Sequence, residues 1–252
     1  MRALITGAAA GLGRALGEAV VVRGGSLVAL DRDEARLATL GEGVDAVAAD
    51  LADTAALDDL GNDLGRRGPY DLVVMNAGVN ATGPFEAIAI ADQSAVIAVN
   101  LTAPMVLTAA LLRHNAICPG GALVFVSSLS RFVSYPGAAS YVASKHGIAV
   151  FAKSLRRPLA KQQIRVLTVF PGPLDTGHAE RHAPPGPGRK RRKRRMAPDV
   201  AAKAILAAAS RRSGEFVPGA GPHMLAILAR LAPGTATAIM RRFIFQKLNG
   251  TD

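Results

Sequence analysis

Apolar residues fall along the chain in two alternating kinds of segment. Short runs that are apolar at nearly every position are Ala3–Thr6, Leu27–Leu30, Ala46–Ala49, Leu72–Met75, Ala122–Val126 and Arg165–Phe170. They have strand length and predict strands buried on both faces, as in a parallel sheet. Between them lie longer stretches of helical composition, such as Gly13–Arg23, Thr54–Arg66 and Ala91–His114. This alternation predicts an α/β fold, a doubly wound parallel sheet of about seven strands with helices on both faces and right-handed crossovers. One domain is expected to span residues 1–252, and no internal repeat is visible.

The pattern changes after Thr176. His182–Arg195 is rich in Pro and Gly and then in charge, and predicts a long loop, with a lid at about 175–197. Pro198–Ser210 resumes a helix, with Pro at its first turn. Glu215–Val217 reads as a last short strand. A tail at about 222–248 offers two apolar helical segments, Met224–Leu231 and Ala236–Leu248, split by Pro233-Gly234. In the second, Ile239, Met240, Phe243, Ile244 and Leu248 share one face. Such a tail can cover a pocket, pack on a second subunit or lie on a membrane surface.

Composition narrows these readings. Half of the residues are apolar, Trp is absent and aromatics are few, so the core must be aliphatic. A single cysteine, Cys118, excludes an internal disulfide framework and a multi-cysteine zinc site, so no metal is expected. It fits a reducing compartment and reads as a small buried hydrophobe. No secretory signal is visible and no stretch reaches about 18 apolar residues, so a cytoplasmic protein is expected. The formal charge is +11, but Arg189–Arg195 holds seven consecutive basic residues, and without them it falls to +4. That run reads first as a solvated loop, and it could also attract an acidic substrate or anionic lipid. It has no interleaved aromatics for base stacking, so no nucleic-acid partner is expected.

The first strand leads into Thr6-Gly7-Ala8-Ala9-Ala10-Gly11-Leu12-Gly13 and then a helix pattern. Gly7 allows the tight turn, Gly11 lets the backbone approach a pyrophosphate, and Gly13 lets the helix pack closely. Free amides and the helix dipole then face the phosphates of a dinucleotide, as in the Rossmann fold. Asp31 ends the second strand 24 residues after Gly7, where an acid holds the adenosine ribose hydroxyls. Its carboxylate would repel a 2′-phosphate and favours NAD over NADP; the adjacent Arg32 pulls the other way. Asp31 is also placed to cap the segment that follows.

With these motifs the chain resembles the short-chain dehydrogenase/reductase family, in its branch of roughly 250 residues. Thr6–Gly13 resembles the family's TGxxxGxG, Asp50-Leu51 its adenine-contacting pair, and Asn76-Ala77-Gly78 the NAG closing the fourth strand. Asn100 matches the asparagine of the long central helix, and Tyr141–Lys145 matches YxASK. Pro171-Gly172 with Thr176 matches the PGxxxT over the nicotinamide. The family serine lies thirteen residues before the tyrosine, which selects Ser128 rather than Ser127 or Ser130. The resemblance runs to about residue 218. It implies cofactor contacts at Gly7, Ala9, Gly11, Leu12, Gly13, Asp31, Arg32, Asp50, Leu51, Asn76, Ala77, Gly78, Tyr141, Lys145, Pro171, Gly172, Leu174 and Thr176. It further implies a homodimer or homotetramer.

The chemistry is legible in the residue types. An alcohol–ketone conversion needs a group that gives and takes the hydroxyl proton, and a lone Tyr, with a pKa of about 10, is a poor base. Tyr141 and Lys145 are four apart on a helical segment and share one face. An ammonium beside the phenol favours the phenolate. Ser128 can donate to the substrate oxygen. By resemblance, Lys145 also holds the nicotinamide ribose, and Asn100 holds a water that links Lys145 to solvent. The predicted function is an NAD(P)-dependent oxidoreductase acting on a secondary alcohol or ketone of hydrophobic or lipid-like character. The alternative is a non-catalytic nucleotide-binding regulatory protein. Three features depart from the family: Arg131 where glycine is common, Pro158 inside a helical stretch, and the basic lid. A kink at Pro158, or a helix end near Arg157, is expected.

Overall fold

In the computed structural model the described residues are 1–132, 137–175 and 195–231. The strands are β1 (Arg2–Thr6), β2 (Ser26–Asp31), β3 (Val44–Ala48), β4 (Tyr70–Met75), β5 (Ile117–Val126), β6 (Arg165–Val169) and β7 (Gly214–Phe216). They form one sheet in the order β3-β2-β1-β4-β5-β6-β7. Every pairing is parallel. The order reverses direction between β1 and β4, which opens a crevice at the carboxyl ends of these strands.

The continuous apolar runs have a simple cause. Successive strand residues point to opposite faces, and both faces are covered. Ala3 and Ile5 of β1 join a cluster with Leu16 and Val20 of α1 (Gly11–Val21) and Ile205 of α7 (Pro198–Ala209). Leu4 joins the opposite cluster with Leu64 of α3 (Leu57–Arg66), Leu107 and Leu111 of α5 (Ala103–Arg113), and Ile148 and Ala152 of α6 (Ala139–Ala160). A four-residue helix, α2 (Glu34–Leu37), follows β2. α8 (Ala220–Leu231) follows β7 and rests on a smaller cluster with Phe170 and Leu129.

Several expectations shift. The strand predicted at Ala46–Ala49 is β3, at the sheet edge, and it is partly exposed rather than buried on both faces because nothing pairs beyond it. The helix predicted from Thr54 starts at Leu57, because the Asp53 carboxylate holds the amides of Ala55 and Ala56 in a turn. α6 runs past Pro158 to Ala160 rather than ending at Arg157. Only the last turn lies beyond the proline, and Leu159 there is buried in the core. Cys118 is half-buried near the start of β5, not fully buried. The lid positions 176–194 and the segment Ala236–Leu248 lie outside the described residues.

The long segment predicted over Ala91–His114 is one helical stretch in three parts. α4 (Ile90–Ile97) passes through a π turn (Ala98–Thr102) into α5. Contrary to the expectation that no apolar stretch is long enough, this one could cross a bilayer by length and composition. Here it packs on the sheet and α3, with Leu107 and Leu111 fully buried.

Leu107→Ala is expected to cost about 2–5 kcal/mol, measured by urea unfolding, because it empties the centre of the layer between sheet, α3 and α6. A change under about 1 kcal/mol would show that this layer can collapse around the deletion.

Candidate active site

The crevice is built from backbone first. Gly7 leaves β1 at φ +68, a left-handed conformation that suits glycine, and a Cβ there would lie 2.9 Å from Ala77 Cα. A Cβ on Gly13 would overlap the Gly7 carbonyl. The third glycine therefore serves packing of the helix against its own loop. Thr6 and Asn76 stitch β1 to β4: Asn76 N and Ala77 N donate to Thr6 Oγ1, and Asn76 Nδ2 donates to the Thr6 carbonyl. Asn76 thus shapes the loop and has its amide group committed there.

The first turn of α1 has no side-chain cap and no acidic residue. Its amides and dipole are left for an anion. These features fit a dinucleotide diphosphate. Ala9, expected as a cofactor contact, has its amide elsewhere: it donates to Asp31 Oδ2 at 3.0 Å, while Asp31 Oδ1 accepts from Asp33 N. The two bonds fix the Asp31 carboxylate beside the loop. Asp31 does not cap the next helix; Asp33 does, accepting from Arg36 N. Arg32 and Asp50 are exposed, and Asp50 Oδ1 accepts from Ala52 N. The Leu51 side chain is buried in the core, so its backbone is what remains for an adenine.

At the other end of the crevice, Lys145 is buried and its Nζ donates to the Val126 carbonyl at 3.0 Å. The same Nζ lies 5.8 Å from the ring centre of Tyr141, which is half-buried. One ammonium proton is committed to Val126 and two are left. Burial pulls the Lys145 pKa down to about 8. Gly78 makes room here, because a Cβ on it would come within 3.1 Å of Lys145 Nζ and 3.3 Å of Asn100 Oδ1. Tyr70 shows the opposite environment: its hydroxyl donates to the Leu64 carbonyl, and burial pushes its pKa up to about 12.

The neighbouring serines separate by what they bond. Ser127 is buried and donates to the Lys145 carbonyl at 2.7 Å, clamping the end of β5 to α6. Ser128 caps a 3₁₀ turn (Leu129–Arg131), and its Oγ accepts from Ser130 N at 3.2 Å. With a lone pair so held, the Ser128 proton is free to point at another acceptor. Ser127 is a link that sequence spacing alone did not reveal.

Asn100 sits in the π turn, fully buried. Its amide group accepts from Val79 N and donates to the Val79 carbonyl and Ser144 Oγ. Ser144 in turn donates to the Tyr141 carbonyl. The side chain is therefore structural, tying the loop after β4 to the turn that carries Tyr141. A water could be held by the second lone pair of Asn100 Oδ1 or by its main-chain carbonyl, whose α-helical partner would be residue 104, a proline without an N–H. Pro104 is a signal for this that was readable in the sequence.

Pro171 and Gly172 close over the serine turn: the Pro171 carbonyl accepts from Leu129 N, and Gly172 abuts Pro222 of α8. Leu174 bridges to Met196, with Asp175 N bonded to the Met196 carbonyl and Met196 N to that of Pro173. Both ends of the segment between them are thus joined. Thr176 lies outside the described residues. Arg131 is exposed at the end of the serine turn.

The model of the short chain dehydrogenase family matches residues 1–185. The chain is a member of that oxidoreductase family. A 1-deoxy-11-beta-hydroxypentalenate dehydrogenase from Streptomyces avermitilis is 36% identical over 187 residues, covering 69% of this chain and 68% of the relative. Carbonyl reductase [NADPH] 2 from Sus scrofa is 35% identical over 178 residues, 68% of this chain and 70% of its own. A short chain dehydrogenase from Burkholderia cenocepacia J2315, solved in complex with NADP, superposes with a TM-score of 0.78 at 27% identity. That superposition covers 96% of this chain and 97% of the other. The expected family and the parallel seven-stranded fold both hold.

The Lys145 pKa makes a stability prediction. The unfolded chain keeps this proton up to the ordinary lysine range near 10.4. Between about 8 and that range the unfolded state binds more protons, so the fold gains stability as pH rises. Cofactor-free wild type is expected to gain Tm relative to Lys145→Met as pH is raised from about 7.5 to about 10. A difference that stays constant across this range would show that the buried ammonium titrates normally.

Proposed function

We propose that this short-chain dehydrogenase interconverts a secondary alcohol and a ketone with NAD(P), using Tyr141 as the proton donor and acceptor. The observation that carries the reading is the buried Lys145 ammonium, held 5.8 Å from the Tyr141 ring. A cation fixed in a site of low polarity stabilises the phenolate left when Tyr141 gives up its proton. Bound nicotinamide supplies or accepts the hydride. Gly11, Leu12 and Gly13 would hold its diphosphate, Asp31 the adenosine ribose, and Lys145 the nicotinamide ribose.

In the reducing direction the Tyr141 hydroxyl protonates the substrate oxygen as negative charge grows there. Ser128 donates a hydrogen bond to the same oxygen and orients it. The proton is replaced through Lys145 and a water on the Asn100 carbonyl. In the oxidising direction the same groups run in reverse. Asp31 favours NAD over NADP by repelling a 2′-phosphate. The apolar side chains of Leu129, Phe132 and Phe170 around the serine turn favour a hydrophobic or lipid-like substrate. Exposed Met105 on α5 and Val150 on α6 support assembly as a dimer or tetramer. The intact Ser128, Tyr141 and Lys145 speak against a non-catalytic regulator.

Fluorescence titration with NADH and NADPH tests the class, and binding of neither would sink the enzyme reading. Tyr141→Phe is expected to abolish turnover and leave cofactor affinity intact. Ser128→Ala is expected to lower kcat by about 10²–10³. Retained turnover in the tyrosine variant would move the proton chemistry to another residue. Asp31→Ser is expected to raise NADPH affinity at the expense of NADH; an unchanged ratio would remove Asp31 from cofactor selection.

A further inference from the structure

α8 presents its faces the wrong way round for a helix bathed in water. On its inner side Ala226 and Ala229 are buried against Leu129, Phe132 and Phe170, with Leu225 partly buried beside them. Its outer side is large and apolar. Met224 is 71% exposed, Ile227 43%, Leu228 39% and Leu231 81%. These positions, spaced three and four apart, form one stripe. A solvent-facing stripe ordinarily carries charge, so this one is built to meet something apolar.

Charge at the same edge says what that is. The helix begins beside Met196, whose Cε lies 2.6 Å from where a Cβ on Gly219 would sit. Met196 follows Arg195, the last of seven consecutive basic residues, and Phe132 beneath the helix follows Arg131. Neither arginine forms an ion pair among the described residues. Asp175, bonded through its amide to Met196, brings one carboxylate to this edge. From Phe216 to Leu231 the chain has no Asp or Glu. A second copy docked here would set like charge against like charge. An anionic bilayer offers an apolar interior at the depth of the stripe and phosphates at the level of the arginines.

We propose that α8 docks the enzyme on an anionic lipid bilayer, with Met224, Ile227, Leu228 and Leu231 entering the headgroup–acyl boundary and Arg131 and Arg195 facing lipid phosphates. Phe132 and Pro222 tie this helix to the serine turn and to Gly172, so docking holds the substrate entrance at the membrane surface. The inference is independent of the reaction assigned to Tyr141.

The test is co-sedimentation of the full chain with phosphatidylcholine vesicles, with and without about one third phosphatidylglycerol. Binding is expected to be at least about tenfold tighter to the anionic vesicles and to weaken between roughly 0.1 and 0.5 M salt. The double variant Met224→Glu, Leu231→Glu is expected to lose binding by about tenfold or more. It should retain its Tm, its NADH titration and its turnover of a water-soluble ketone. Failure of wild type to bind anionic vesicles would overturn the proposal, as would unchanged binding of the double variant. Conversion of an oligomer to monomer by the double variant, with vesicle binding unaltered, would make the stripe a subunit contact and overturn it as well. Loss of ketone turnover in wild type with vesicle binding intact would count against the proposed reaction alone.

Discussion

A charged lysine inside an apolar layer is the constraint on which the active site depends. An ammonium out of water is costly unless it is hydrogen-bonded, and the Val126 carbonyl at the end of β5 takes one of its protons. That bond places α6 against the sheet. The Ser127 hydroxyl closes the same seam from the other side by donating to the Lys145 carbonyl. Gly78 leaves the space into which the long side chain extends. The residual cost appears as a pKa of about 8. In the proposed reaction the same burial strengthens the field of this cation at the Tyr141 ring, 5.8 Å away.

The far end of the crevice follows a different logic. There the backbones of β1, β4 and α1 approach so closely that side chains are excluded. The Gly13 position touches the Gly7 carbonyl, and the Gly7 position touches Ala77. Thr6 and Asn76 hold this contact with hydrogen bonds across 70 positions of sequence. The outcome is an uncapped helix terminus with a fixed carboxylate, Asp31, at its side. The two ends meet in the loop after β4. There the Asn100 amide bonds Val79 on one side and Ser144 on the other. Asn100 connects the loop after β4 to α6 through its side-chain amide.

Pro171-Gly172, the serine turn and α8 form the border of the site. They pack through Leu129, Phe132, Pro222 and Phe170 rather than through polar bonds. Such contacts tolerate change in what they face, and this border carries the exposed Arg131 and a helix with large apolar residues outward. The interior of the site is held by hydrogen bonds and its border by apolar packing.

The fold class, the family and the order of its motifs along the chain were legible in the sequence. The fold class rests on local rules, the apolar period and a glycine loop at a strand end, and the candidate site residues on resemblance to the family's motifs. Other features needed the tertiary structure, because they depend on which distant groups meet. Asp33 rather than Asp31 caps the second helix, since Asp31 is drawn to the Ala9 amide 22 residues away. The Asn100 side chain is committed to Val79 and Ser144, a pairing across 44 positions for the latter. α6 continues through Pro158 because Leu159 gains a place in the core. Sequence determined which groups the site would contain; only the meeting of α6 with the end of β5 decided which of them are free to act and which hold the others in place.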